Sequence, residues 1–352
     1  MENRIRVGLI GFGAAGQFFH APLIHSLPAF HLAVICERSS NKSEALYPLA
    51  KIVKDANAVF EDATIDLVVI ATPNSSHFSL AKEALIRGKN VVVDKPFVPT
   101  IEEGLFLIQL AKKQNKLLTV FHNRRWDGGF LTVRHLLEKG ILGALVEYEA
   151  RFDRFRNVVN QQAWKEKESP GSGILYDLGS HLIDQALVLF GNPLTVQADI
   201  RSQRPGALVD DYFEINLMYP NLKVILKAGV LVREPSAIFT LHGMQGSYVK
   251  YGLDPQEGAL RAGQSPLAAK FGFEEPGSWG QLNSEVGGLV LNEKMETQPG
   301  SYKLFYENVY NAIVHNHPLL VKPWEAINCL KIIAMARASQ EEKRTIEFPL
   351  FS

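Results

Sequence analysis

Only two cysteines occur in 352 residues, Cys36 and Cys329, far apart in the chain and with no CxxC pair. That argues against a disulfide framework and provides no zinc-ligand spacing. An excess of charge of either sign is also missing: 37 Lys and Arg balance 37 Asp and Glu. Electrostatics therefore provide no footprint for nucleic acid or an anionic membrane. The cluster Arg151, Arg154 and Arg156 is interrupted by Asp153 and is too small to change this. No apolar run approaches the ~18 residues needed to cross a bilayer. The opening "MENRIRVGLIGFG" enters a strand pattern at once, without a charged segment, an apolar segment and a cleavage site ahead of it. The expectation is a cytoplasmic chain with neither nucleic-acid nor membrane partners. Its 46% hydrophobic and 21% charged residues are those of an ordinary globular protein, long enough for two domains.

The run "IRVGLIGFGAAGQFFHAPLI" starts with near-continuous apolar residues, the mark of a strand buried on both faces. Gly11, Gly13 and Gly16 follow in GxGxxG spacing where the strand pattern turns helical. The first glycine suits a tight turn and the second a close approach to pyrophosphate. The third suits tight helix–strand packing, with Phe12 and Ala14 between them. The strand "HLAVICE" ends at Glu37, about 20 residues beyond the last glycine, where an acid would accept from the ribose hydroxyls of NAD. Arg38, Ser39 and Ser40 come next and would instead suit the 2′-phosphate of NADP, so the choice between NAD and NADP stays open.

Strand and helix patterns then alternate through "IDLVVIAT", "HFSLAKEALIRGK", "NVVVDKP", "IEEGLFLIQLAKKQ" and "KLLTVFHN". This alternation predicts a doubly wound parallel sheet of the Rossmann kind over residues 1–123, with ligands beyond the carboxyl ends of the strands. Polar residues punctuate three of those ends: Thr72, Pro73, Asn74 and His77; Lys95; and Asn123 with Arg124. They are expected to converge on one crevice, with a lysine set between a buried strand and a proline as its most informative member.

From residue 124 to 352 the texture changes. "ALVEYEARFDRF", "TVQADIRSQR", "DYFEINLMYP", "KVILKAGVLVRE", "IFTLHG" and "SYVKYG" follow one another across short turns. That predicts an α+β domain with a large, mainly antiparallel open sheet. Val146, Tyr148, Ala150 and Phe152 are expected on its covered face, and Glu147, Glu149, Arg151 and Asp153 on the other, which is broad enough to pair with a second subunit. Residues 254–300 are expected to be irregular around a short helix, "QEGALRAG". In "YDLGSHLIDQ", Asp177, His181 and Asp184 fall within about 60° of one another on an α-helix. This polar face either meets water or lines a site. Gly179 between them costs about 1 kcal/mol of helix propensity, which a close ligand approach would explain. A metal reading of these side chains has no further His or Cys nearby in sequence, and no metal is expected.

With the glycine motif, "DKPF", "HNRRWD" and "YDLGSHLIDQ" in view, the chain resembles the Gfo/Idh/MocA oxidoreductases over essentially its whole length. It is most similar to the bacterial scyllo-inositol dehydrogenase branch, through "VFHNRRWD", "GSGILYDLGSHLIDQALVLFG" and "GSYVKYGLDPQE". Asp94 stands where many members carry Glu, and "GSG" (171–173) replaces the commoner glycine triplet; both are small departures. The resemblance implies an NAD- or NADP-dependent oxidoreductase acting on a polyol or sugar, with the substrate pocket between the two domains. It also implies homodimer or homotetramer contacts through the open sheet. Three catalytic positions carry over, Lys95, Asp177 and His181, with Asn123, Arg124 and Trp164 as further candidates for the pocket wall. His181 is expected to take the hydroxyl proton and Lys95 to stabilise the developing alkoxide, while Asp177 binds substrate or orients the other two. Two rivals remain: a catalytically silent nucleotide-binding sensor, and a reductase of another carbonyl or an enone.

Overall fold

The computed structural model describes residues 4–160 and 164–349. Packing divides the chain into two compact units. The first contains the chain up to Trp126 together with Pro255–Phe271 and Ser301–Ile327; the second contains Asp127–Asp254, Gly272–Gly300 and the chain from Asn328 onward. The division expected from sequence, 1–123 and 124–352, leaves both later segments out of the first unit.

In the first unit, six parallel strands among the described residues lie in the order β3-β2-β1-β4-β5-β6. They are β1 (Ile5–Ile10), β2 (Phe30–Cys36), β3 (Lys51–Val53), β4 (Leu67–Ile70), β5 (Asn90–Val93) and β6 (Leu118–Val120). The central strands are continuous apolar runs because helices cover both of their faces; all four residues of β4 are buried. The helix Ile101–Lys113 shows local sequence logic. The Thr100 hydroxyl accepts from the Glu103 N–H at 3.2 Å, acids occupy the first turn and lysines the last. The two later segments join this unit through specific contacts. Gln256 donates from Nε2 to the Trp126 carbonyl and accepts from the Tyr302 N–H. Phe121, Trp126, Phe305 and Tyr306 pack edge to face or tilted in the same core.

The second unit holds a nine-stranded sheet, ordered β14-β13-β12-β11-β7-β10-β9-β8-β15 among the described residues. In chain order these are Leu145–Arg151, Thr195–Arg201, Tyr212–Met218, Lys223–Gly229, Phe239–Gly243, Gly246–Lys250, Gly280–Val286, Leu289–Met295 and Ile346–Glu347, β7 to β15. Every pairing is antiparallel except β7 with β10. One face packs on Phe130, Val133, Leu178, Leu182, Ile332 and Ile333 from helices. Truncating a fully buried leucine such as Leu182 to alanine in such a core costs about 3 kcal/mol. Two expectations fail here. Val146 is 43% exposed, because a register irregularity opposite His242 and Gly243 skips it and breaks the alternation. Residues 280–295 are not irregular but form the β13–β14 hairpin, turned by Gly287 and Gly288 at φ 60° and 80°. None of the described helices is long and apolar enough to cross a membrane.

Candidate active site

The glycine turn follows β1, and its first N–H donates to the Cys36 carbonyl at the end of β2 at 3.0 Å. Gly11 has φ +99°, and a Cβ there would lie 2.6 Å from the Ala71 carbonyl oxygen. A Cβ on Gly16 would lie 2.1 Å from the Gly11 oxygen, whereas one on Gly13 would meet nothing within 4 Å. Backbone crowding thus requires glycine at the first and third positions. At the second, exposed space is left for a ligand's phosphates, so these residues fit a bound dinucleotide. Ala14 is exposed beside Gly13, while the Phe12 ring is buried against Tyr47 and only its backbone faces the turn. The helix then opens with a π-turn, Gly16–His20, before Ala21–Ser26.

Glu37 departs from its expected role. It is 3% exposed, and both carboxylate oxygens are engaged by its own loop. Oε1 accepts from the Ser40 hydroxyl and, at 3.0 Å, from the Lys42 N–H. Oε2 accepts from the Ser43 N–H and hydroxyl at 2.9 and 2.6 Å. Burial alone would raise its pKa, but these hydrogen bonds outweigh it and hold the carboxyl at about 2. Arg38, next in sequence, is exposed.

Thr72, Pro73 and Asn74 follow β4, where the Thr72 and Ser76 hydroxyls lie 2.7 Å apart and Asn74 is buried. His77, expected at the cofactor crevice, is 1% exposed, with both ring nitrogens turned to backbone carbonyls. Its ring lies 2.9 Å from the Pro96 carbonyl at Nδ1 and 2.9 Å from the Thr72 carbonyl at Nε2, tying the β4 and β5 strand ends together. Lys95 follows β5, half-buried, and its peptide bond to Pro96 is cis. The Lys95 N–H donates to Asp94 Oδ1 at 2.9 Å. Burial would raise the Asp94 carboxyl, but His20, Lys95 and His77 outweigh it and hold it below its ordinary range. His20 lies 3.7 Å from Asp94 at Nε2 and 2.6 Å from the Tyr306 hydroxyl at Nδ1. Sequence reasoning missed this pair, since 286 residues separate His20 from Tyr306.

Asn123 and Arg124 are buried after β6. The Arg124 guanidinium pairs with Glu257 of the helix Pro255–Arg261, a fixed structural contact where a pocket wall was expected. Burial would raise Glu257, but Arg124 and Arg261 hold it below its ordinary range.

In the second unit, the segment carrying Asp177 and His181 is not one regular α-helix. Leu175–Gly179 form a π-turn that leads into the α-helix Ser180–Phe190. The projection at 100° per residue therefore does not hold across Asp177. The turn is anchored from outside: Asp210 accepts from the Ile174 N–H through its carbonyl and from the Leu175 N–H through Oδ2. Gly171 and Gly173 both have positive φ, and a Cβ on Gly173 would strike Asp210 at 2.3 Å. The serine of "GSG" thus falls where the backbone makes no such demand. Asp177 accepts from Lys165 Nζ at 2.7 Å, a partner the sequence did not suggest. His181, Asp184 and Gln185 are buried, whereas Asp177, paired with Lys165, stays partly exposed. Gly179 does not mark a ligand approach: a Cβ there would lie 3.0 Å from Leu175 Cδ1 and 3.3 Å from Phe213 Cζ. Two residues from Asp177, it faces the sheet. The Trp164 side chain lies outside the described residues.

Comparison with known proteins adds the family. Residues 5–122 match the oxidoreductase family's NAD-binding Rossmann fold, and residues 134–348 its C-terminal alpha/beta domain. Escherichia coli YdgJ, an uncharacterized oxidoreductase, is 43% identical across 98% of this chain and 99% of its own. Bacillus subtilis IolW, a scyllo-inositol 2-dehydrogenase (NADP(+)), is 38% identical across 98% and 96%. The crystal structure of an oxidoreductase from Bacillus cereus superposes with a TM-score of 0.90 at 33% identity, covering 99% of both chains. With both family domains matched in order along nearly the full length, the chain belongs to the Gfo/Idh/MocA family and is an oxidoreductase that uses NAD or NADP.

Proposed function

We propose that the protein interconverts a secondary alcohol and a ketone on a polyol or sugar of the inositol kind. The observation that carries this reading is Lys95, a half-buried ammonium at the carboxyl end of β5, one strand beyond β4 and two from the glycine turn of β1. The relative named as a scyllo-inositol 2-dehydrogenase supports the substrate class. A bound nicotinamide would supply the acceptor for the carbinol hydrogen as hydride. His181 takes the hydroxyl proton, imidazole being the side chain whose ordinary pKa lies near neutral pH. Lys95 offsets the negative charge that grows on the carbinol oxygen. Asp177, paired with Lys165, orients the hydroxyl. Self-association through the open sheet face belongs to the same reading. It is supported by a face of half-buried ion pairs, Arg151 with Glu149 and Lys227 with Glu214.

The test is a screen of NAD+ and NADP+ against inositols, sugars and other polyols, followed by absorbance of the reduced nicotinamide. Reduction with at least one cyclic polyol is expected. Tight dinucleotide binding with no reduction by any polyol would overturn the reading and favour a sensor or another carbonyl substrate.

A further inference from the structure

An acid at the end of the second strand of such a sheet ordinarily accepts from the adenosine ribose hydroxyls and repels a 2′-phosphate. In this chain its geometry points to the opposite role: Glu37 is a positioning residue that builds a 2′-phosphate loop, with Arg38 as the cation that reads the phosphate, so the preferred cofactor is NADP. Three observations carry this inference.

First, the carboxylate is fully committed. Four donors from Ser40, Lys42 and Ser43 occupy both oxygens, and turning Glu37 toward a ribose would leave all four without their acceptor. A chain organised in this way lacks the acceptor that distinguishes NAD.

Second, the loop is held from its other side. Lys54 Nζ donates to the Glu37 carbonyl at 3.1 Å, to the Ser40 carbonyl at 2.6 Å and to the Asn41 side chain. The backbone on both sides of Arg38 and Ser39 is therefore fixed before any ligand arrives, which lowers the ordering cost of binding.

Third, the charge near the loop tip is cationic. Arg38 and Lys42 are exposed, and Arg38 makes no ion pair among the described residues. Glu37 is buried under its four donors, and the exposed acids near this loop, Glu44 and Asp55, are outnumbered by the exposed cations Arg38, Lys42 and Lys54. The Gly11-to-Cys36 hydrogen bond sets this loop beside the glycine turn, where the adenosine end of a dinucleotide belongs. A guanidinium suits a phosphate there through paired N–H donors.

The inference rests on the dinucleotide site alone. It needs neither the polyol substrate nor the roles given to Lys95 and His181, so fragments without nicotinamide test it separately. Calorimetric titration of the intact protein with 2′,5′-ADP and 5′-AMP, and with NADP+ and NAD+, is the experiment. The 2′-phosphorylated member of each pair should bind about 10- to 100-fold more tightly. Arg38→Ala, a surface change, should remove most of that ratio. Glu37→Gln should weaken NADP+ and 2′,5′-ADP by about 10-fold while NAD+ changes by less than about 3-fold. Equal binding within each pair by the wild type would overturn the inference. So would an Arg38→Ala variant that keeps the full ratio, whatever the folding of the Glu37 variant. A folded Glu37→Gln protein that gains NADP+ affinity and loses NAD+ affinity would restore the ribose role.

Discussion

Replacing Glu37 with Gln keeps the side chain's shape but removes the charge on which four donors converge. A glutamine can still accept through one oxygen. Its amide N–H groups, however, would face donors where a carboxylate oxygen had been. The free carboxyl's ordinary pKa of 4.5 falls to about 2 in the fold. That displacement corresponds to ~3 kcal/mol favouring the charged form in the folded state. Against a typical stability of 5–15 kcal/mol this is a large share. The unfolded chain takes up this proton more readily than the folded one, so stability gained from the carboxylate is complete above pH 4.5 and is lost as pH falls from there toward about 2. Urea unfolding of the wild type and Glu37→Gln, from neutral pH downward, reads this directly. The gap should be ~3 kcal/mol at neutral pH and roughly half of that near pH 3. A gap under ~1 kcal/mol at neutral pH, or one that does not vary with pH, would refute the reasoning.

Lys95→Met should lower kcat by on the order of 100-fold or more while dinucleotide affinity measured by calorimetry stays within about 3-fold; retained turnover would remove Lys95 from the chemistry. His181→Ala should lose the limb of the pH–rate profile near neutrality, and a variant that keeps this limb would show that another group moves the proton. Gly179→Ala sets a helix-propensity gain of about 1 kcal/mol against an overpacking cost of about 1–3 kcal/mol at Leu175 and Phe213. Net destabilisation with unchanged substrate KM is expected; a normal Tm with a raised KM would return Gly179 to the site. Lys250 and Glu274 form a nearly fully buried pair at 3.0 Å. Glu274→Gln should therefore cost about 3–5 kcal/mol in urea unfolding, and Lys250→Met with Glu274→Leu should recover most of it.

Local pattern made much of the fold legible. Apolar runs four to seven residues long between helix patterns identify buried parallel strands, since a strand covered on both faces has no polar side to show. The glycine spacing was legible for a similar reason: steric limits at Gly11 and Gly16 act within a few residues of backbone and a neighbouring strand. Less was visible at Val146, which the pairing with β11 skips, leaving it exposed and breaking the alternation of its strand. The β13–β14 hairpin could have been found from "EVGGLV", because a Gly-Gly pair between strand residues is a turn signal. At Asp177 and His181 the polar spacing was legible in the sequence, but the π-turn beneath Asp177 has no signature in side-chain periodicity.

By itself the sequence determined the two sheets, the dinucleotide turn and the residue types available for chemistry, because these follow from periodicity, glycine sterics and charge along short stretches of chain. Tertiary structure alone decided what those residues touch. Glu37 was turned into its own loop, His77 was buried between two carbonyls, and Arg124 was paired with a glutamate 133 residues away. The physical reason is that a carboxylate, an imidazole or a guanidinium takes whichever partners the fold brings within about 3 Å, and sequence spacing does not encode that distance.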